Sequence, residues 1–203
     1  MGFSPDFGSK DIQLTISTYN LNDNSLILYK DSSNWFDLSS VAKGYAVQKI
    51  HDYLMSNNLT DHLIDIGGEI IINGSNYNDT WRVGIQDPSS LGNKSIEILS
   101  NKDSNFLAIA TSGEYRNFKL DNSGNKISHS INPNTLRSIN NEIVSVTVIH
   151  ESSAAYADAY ATSFNVMGFK RAINKAENLG IAAMFLLDNG EIIFSKKWYD
   201  LQL

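Results

Sequence analysis

Hydrophobic positions along the chain change period several times, and each change marks an element. Ile12, Leu14 and Ile16 alternate with polar residues, the two-residue period of a half-buried strand, and residues 26–29 predict a second strand beyond the Asn22-Asp23-Asn24 turn. Over residues 41–54 the apolar positions Val41, Tyr45, Ile50 and Leu54 switch to helical spacing. Asp37, Ser39 and Ser40 offer capping chemistry before that helix, and Asn57-Asn58 ends it. Short strands are then expected at 62–66, 69–73, 81–86, 95–99, 106–111, 116–120 and 126–131, most of them separated by Gly, Asn or Asp turns. Residues 142–150 form a further strand in which Val144, Val146 and Val148 alternate with Ser145 and Thr147, Ile143 alone being out of phase. A second helix is predicted over 153–167 with Gly168 as its stop, and 170–178 continues helically to Gly180. The Asp188-Asn189-Gly190 turn between 182–187 and 191–194 predicts a closing hairpin. Many strands with few, irregularly placed helices indicate an α+β fold rather than a doubly wound sheet.

Composition narrows the function. A chain of 203 residues, 42% hydrophobic, can build one substantial core, so a single domain over 1–203 is expected. Its 22 acidic against 16 basic residues, a formal charge of −6, exclude a broad basic surface, so nucleic acid is not an expected partner; small phosphorylated ligands need only local donors. With no cysteine there is no disulfide framework, thiolate zinc site or cysteine nucleophile. Residues 1–7 carry no signal-peptide pattern and no apolar run approaches the roughly 20 residues of a membrane span, which leads us to expect a soluble chain.

Several residues could carry chemistry. On a helix, Asp158 and Thr162 share one face among Ala155, Ala157, Ala159 and Ala161. A carboxylate and a hydroxyl are hard oxygen ligands of the kind Mg²⁺ accepts, with waters and phosphates completing its octahedron. Spacing alone favours instead an Asp capping the helix start and a Thr bonding back to the helix carbonyl, the commoner use of these residues. Lys43-Gly44 inside the first turns of a helix offers an anion contact and a close approach, or a solvated lysine and a packing glycine. Gly67-Gly68 lets the backbone pass near a ligand or turn sharply. Thr111-Ser112-Gly113, at a strand end, offers hydroxyls and amides to a phosphate or simply forms a turn. His129, in a polar strand end running into a turn, is a candidate general base, whereas His51, His62 and His150 fit surface or structural roles. No zinc-spaced histidine pair, Gly-x-Ser-x-Gly or Walker sequence is present.

Taken in order, these segments resemble the ApbE family of FAD:protein FMN transferases. The matching stretches are GFSPD near the N-terminus, DLSSVAKGYAV from Asp37, LIDIGGEI from Leu63, WRVGIQDP from Trp81, ATSGEYRNF from Ala110, SHSINP from Ser128, VSVTVI from Val144 and ADAYATSFNVMG from Ala157. The resemblance implies an ApbE-like, T-fold-like mixed sheet domain with few helices. It also implies an activity: with Mg²⁺, the pyrophosphate of FAD is cleaved, AMP is released, and FMN is joined through its phosphate to a Ser or Thr of a target flavoprotein. Some members instead act as FAD pyrophosphatases, giving FMN and AMP. Matched motif by motif, Asp158, Thr162 and the backbone carbonyl of Ser40 correspond to metal ligands. Asp37, Lys43 and the backbone of Ile131 correspond to FAD contacts, with Gly67, Gly68, Thr111, Ser112 and Gly113 shaping the pocket. His129 corresponds to the active-site histidine, and His129 or Asp158 would serve as base toward the acceptor hydroxyl.

Two departures accompany the resemblance. The family pattern His-x-x-Asp-Pro-x-Thr-Gly has Asn132 in place of its Asp and Leu136 in place of its Gly, changes that bear on the flavin-end pocket, the target preference or the rate. The family domain also has on the order of a hundred further residues upstream. The chain therefore resembles the C-terminal two-thirds of that domain, and a separately supplied N-terminal polypeptide is an expected partner. The alternative that this implies is a non-catalytic flavin-binding subunit of a split protein. Family members are commonly anchored by lipid outside the cytoplasmic membrane, and neither signal nor anchoring cysteine is seen here.

Overall fold

The computed structural model describes residues 20–22, 27–29, 37–88, 90, 94–102, 105–113, 118–120, 126–128, 130–133, 135 and 137–201. In chain order, β1 (Asn20–Asn22) and β2 (Ile27–Tyr29) form a hairpin, followed by α1 (Ala42–Ser56), β3 (His62–Ile66) and β4 (Glu69–Asn73). The hairpin β5 (Arg82–Gln86) and β6 (Ser95–Ser100) precedes β7 (Leu107–Gly113). Two small pairs come next, β8 (Phe118–Leu120) with β9 (Lys126–Ser128), and β10 (Ile131–Asn132) with β11 (Arg137–Ser138). The chain closes with β12 (Ile143–His150), α2 (Ala154–Met167), α3 (Phe169–Leu179), β13 (Ala182–Leu187), β14 (Ile192–Phe194) and α4 (Lys196–Asp200).

The α+β class is as expected, built on a six-stranded sheet of order β14-β13-β12-β7-β4-β3. The resemblance implies a mixed sheet; every pairing in this one is antiparallel. Alternate side chains of each strand point to opposite faces, so the sheet carries two cores. On one face Ile71, Ala108, Ala110, Val146, Val148 and Phe185 pack against the inward side chains of α1, α2 and α3. On the other, Ile72, Leu107, Ile109, Ile149 and Met184 pack against Val83, Ile85 and Leu99 of the β5–β6 hairpin and Trp198 of α4. Half of the buried residues of α2 are alanine, Ala154, Ala157 and Ala161, which brings its backbone close to both β7 and α1.

Both faces of the sheet are covered. The valine/hydroxyl alternation of β12 suggests a half-exposed strand, yet Ser145 and Thr147 are 3% and 0% exposed, because β12 lies between β13 and β7 with layers above and below. Ile143, out of phase in the sequence, pairs with Leu187 just before a register shift between Ile143 and Ser145, where Val144 is the extra residue of a bulge. The α1 helix is also present with a different inward face: Gly44 and Val47 are buried and Leu54 packs beside them, while Tyr45 and Ile50 are exposed. The single strand expected over 126–131 is divided between β9 and β10, and α4 was not foreseen. The strand expected around Ile12, Leu14 and Ile16 lies outside the described residues. Among the described residues no helix is long and apolar enough to cross a membrane.

Candidate functional site

The N-terminal turns of α1 and α2 meet over one end of the sheet. Ser153 caps α2 in the ordinary way, its hydroxyl accepting the Tyr156 N–H at 3.3 Å. Asp158 therefore does not cap its own helix. It reaches across to α1, where its Oδ2 accepts the backbone N–H of Gly44 at 2.9 Å. Gln48, one turn further along α1, returns the contact by accepting the Ala154 N–H at 2.9 Å. Each helix thus supplies a side-chain acceptor for an unpaired N-terminal donor of the other.

Gly44 makes this crossing possible. A Cβ there would press on the Ala154 carbonyl and stand 2.7 Å from Asp158 Cβ, so the glycine permits a close backbone approach, of helix on helix and not of helix on sheet. The N-cap of α1 is Val41, with no side-chain cap of its own, so the capping expected of Asp37, Ser39 and Ser40 is supplied instead by Asp158. Asp37 closes a local turn, its Oδ1 accepting the Ser39 N–H at 2.9 Å, and this bonding to Ser39 holds its exposed carboxyl below the ordinary range. Ser40 is half-buried, and its carbonyl accepts no backbone N–H among the described residues, the Gly44 donor four residues on being turned to Asp158.

Lys43 is not a free surface lysine. Its ammonium pairs with Glu69 and lies 3.4 Å from the Gly67 carbonyl, to which it donates. Gly67 and Gly68 form the β3–β4 turn with φ of +62° and +98°, a left-handed path that favours glycine, and Gly68 N–H donates to Asp65 Oδ1 at 2.8 Å. Both acids at the centre are buried: Glu69 is 3% and Asp158 4% exposed. Burial pushes the Asp158 carboxyl up, against the Gly44 N–H and the Lys43 charge, which pull it down. Burial likewise raises Glu69, Lys43 opposing it and the negative charge of Asp158 adding to it.

The remaining predicted residues divide by strand face. Ser112 faces α2, where Asn165 Nδ2 donates to its hydroxyl at 3.4 Å. Thr111 points to the opposite face, its hydroxyl 2.8 Å from that of its cross-strand partner Thr147. The Thr111-Ser112-Gly113 strand end therefore does not offer both hydroxyls to one ligand. Gly113 ends β7 opposite Ser145, half-buried. Thr162 is half-buried one turn beyond Asp158 on α2. Ile131 lies in β10, which packs against α2, with Asn132 beside it. His129 and Leu136 lie outside the described residues. Glu69, Gln48 and Asn165 were not singled out from sequence, although Glu69 carries a readable signal: a charge two residues from Ile71, on the same strand phase as the core.

Chemically, the site offers hard oxygen donors and one cation. Among the described residues no three His, Cys, Asp or Glu side chains cluster as a metal cage. A carboxylate with one oxygen engaged by Gly44, a carbonyl without its helical donor and a hydroxyl are donors that suit Mg²⁺, which keeps much of its water or takes phosphate oxygens.

Comparison with known proteins gives the family and the fold. The family model described as the ApbE family matches residues 6–185. The FAD:protein FMN transferase of Vibrio cholerae serotype O1 is 40% identical over 159 residues, which are 77% of this chain and 46% of that protein. Among solved structures, the ApbE protein of Thermotoga maritima superposes with a TM-score of 0.78 at 26% identity, covering 91% of this chain and 59% of its own. The flavin transferase ApbE of Vibrio cholerae superposes with a TM-score of 0.73 at 34% identity, covering 90% and 57%. The chain spans about half the length of the curated relatives it matches.

Proposed function

The chain belongs to the ApbE family, and from that membership we propose that it acts in Mg²⁺-dependent transfer of FMN from FAD to a Ser or Thr of a target flavoprotein. The observation that carries the proposal is the contact of Asp158 with Gly44 beside Lys43, which sets a buried carboxylate and a cation at one helix start.

In this reading Asp158, Thr162 and the Ser40 carbonyl hold the metal. Lys43 and the N-terminal end of α1 face the pyrophosphate of FAD, and the positive end of the helix dipole favours that anion. Bound Mg²⁺ would neutralise charge on the pyrophosphate. The acceptor hydroxyl oxygen forms a new ester bond to the FMN phosphorus, the P–O–P link breaks, AMP departs with the bridging oxygen, and the hydroxyl proton is released to a base. His129 and Asp158 are the candidates for that base. Asp37, whose carboxyl is held ionised by Ser39, is suited to a ribose or to orienting the start of α1 rather than to taking a proton.

Incubation with FAD, Mg²⁺ and a polypeptide carrying the acceptor Thr tests the proposal. The expected result is AMP release with flavin fluorescence bound covalently to the target. AMP and free FMN appearing without any target would assign a pyrophosphatase instead, and no AMP with any divalent ion or target would overturn the proposal.

A further inference from the structure

We propose that Glu69 is a positioning residue which holds the Lys43 ammonium beside Asp158, so that the cationic arm of the site is a lysine–glutamate unit rather than a lysine alone. The proposal rests on the flavin-transfer reading above for its kinetic consequence, but its structural content is independent of it.

Four observations carry it. The ion pair is asymmetric: the Glu69 side chain is 4% exposed and that of Lys43 48%, so the anion is fixed in the protein while the cation reaches the surface. An ordinary surface pair has two mobile partners and little directional effect. Next, the backbone under Glu69 is fixed, because the residue follows the left-handed Gly67-Gly68 turn, pairs with Ile66 across it, and has Gly68 tied to Asp65. The third is the turn's second hold on Lys43, through the Gly67 carbonyl at 3.4 Å. The fourth is adjacency: Lys43 contacts Glu69, and the very next residue, Gly44, contacts Asp158. Two consecutive residues of α1 thus address two buried carboxylates, one on β4 and one on α2. Lys43 bears on both, since its charge lowers Asp158 and Glu69 alike. Without Glu69, the lysine keeps a direct bond only to a neutral carbonyl, with the Asp158 charge acting at longer range, and a four-carbon stem that is half in solvent samples many rotamers.

The test uses the E69Q protein, which keeps the shape and removes the charge. Acylation of lysines by a small amine reagent, read by peptide mass spectrometry, should show Lys43 reacting several-fold faster in E69Q than in the wild type. Lys49 and Lys196 serve as internal references and should be unchanged. Unchanged Lys43 reactivity overturns the proposal, and a uniform rise at all three lysines would show general loosening and overturn it as well. Titration with FAD should show binding weakened by roughly tenfold or more in E69Q, the scale of losing a hydrogen bond from a charged group. K43M should weaken binding similarly, and K43M/E69Q no more than K43M alone. Additive losses would mean that Glu69 does not act through Lys43 and would overturn the proposal. Should E69Q fail to fold, E69D retains the charge on a shorter arm and should restore most of the Lys43 protection that E69A lacks; equal exposure of Lys43 in both would be contrary. If the wild type binds no FAD, flavin transfer falls, while the acylation result still decides the role of Glu69.

Discussion

Asp158 and Gly44 are 114 residues apart in the chain and joined by a 2.9 Å hydrogen bond from the Gly44 amide to the Asp158 carboxylate. The bond places a negative charge at the positive start of α1, where an unpaired amide and the helix dipole both favour it. It also turns the Gly44 amide away from the Ser40 carbonyl. One contact therefore fixes how two helices cross and prepares two oxygen atoms for a ligand.

Gly44→Ala should break that arrangement. The added methyl meets the Ala154 carbonyl and the Asp158 Cβ, so α1 and α2 must separate. Overpacking of this kind costs about 1–3 kcal/mol, and a backbone obstacle puts the change at the upper end. Urea denaturation should show the loss, and AMP release should fall with it; a protein of wild-type stability would contradict the close crossing.

Asp158→Asn should separate structure from chemistry. The amide oxygen can still accept from Gly44, so folding should be nearly retained. The charge that a divalent cation needs is gone, and Mg²⁺ binding by calorimetry should disappear. Thr162→Val should weaken the same binding without abolishing it. His129→Ala should leave Mg²⁺ binding intact while slowing transfer by about 10²-fold or more, the usual scale for losing a general base. Loss of metal binding in H129A would instead make His129 part of the ligand set.

Thr111→Val and Ser112→Ala distinguish the two sheet faces. The first removes a buried hydroxyl pair with Thr147 and should cost about 1 kcal/mol of stability with no change in FAD affinity. The second alters a side chain that faces α2 through Asn165 and should change FAD affinity more than stability. Equal effects on affinity would argue against the division of this strand end.

A pH dependence follows from a histidine pair remote from the site. His51 Nδ1 and His62 Nε2 are 2.8 Å apart, and His62 Nδ1 is 3.0 Å from the Leu59 carbonyl. The chain of bonds assigns the His62 proton to Nδ1, making its Nε2 the acceptor from His51. Burial, then the His62 charge, hold His51 below the ordinary 6.5, Asp52 partly opposing. The folded state then binds fewer protons than the unfolded state just below that value, so the stabilisation is complete above it and is lost as pH falls through the lowered value. Urea midpoints of the wild type and H51Q should converge on acidification across this window. A constant gap would contradict the assignment.

Much of this arrangement was legible in the residues themselves. The α2 helix, with Ser153 before it and Gly168 after it, follows from local caps and stops, and local signals are what a sequence displays. The bulge between Ile143 and Ser145 showed as one break in an alternation. The inward face of α1 was misread because Tyr45 and Ile50 are apolar, whereas the face is chosen by closeness to α2, which Gly44 provides. The roles of Glu69 and Gln48 depend on partners 26 residues or more away in sequence, Lys43 for one and Ala154 for the other, and no local period encodes a partner. The opposite orientation of Thr111 and Ser112 follows from the two-residue strand period once residues 111–113 are placed inside β7 rather than beyond its end.

The reach of the Asp158–Gly44 bond along the chain also governs how the site comes into being. No short segment holds both halves of it, and the two helix starts meet over a sheet in which the intervening β4, β7 and β12 are paired. The contact is therefore non-local, and closing so long a stretch of chain carries an entropic cost. A ligand that needs both helix starts recognises only the finished protein, and its concentration will raise the unfolding midpoint by mass action. The melting curve of this protein is then a binding assay in its own right.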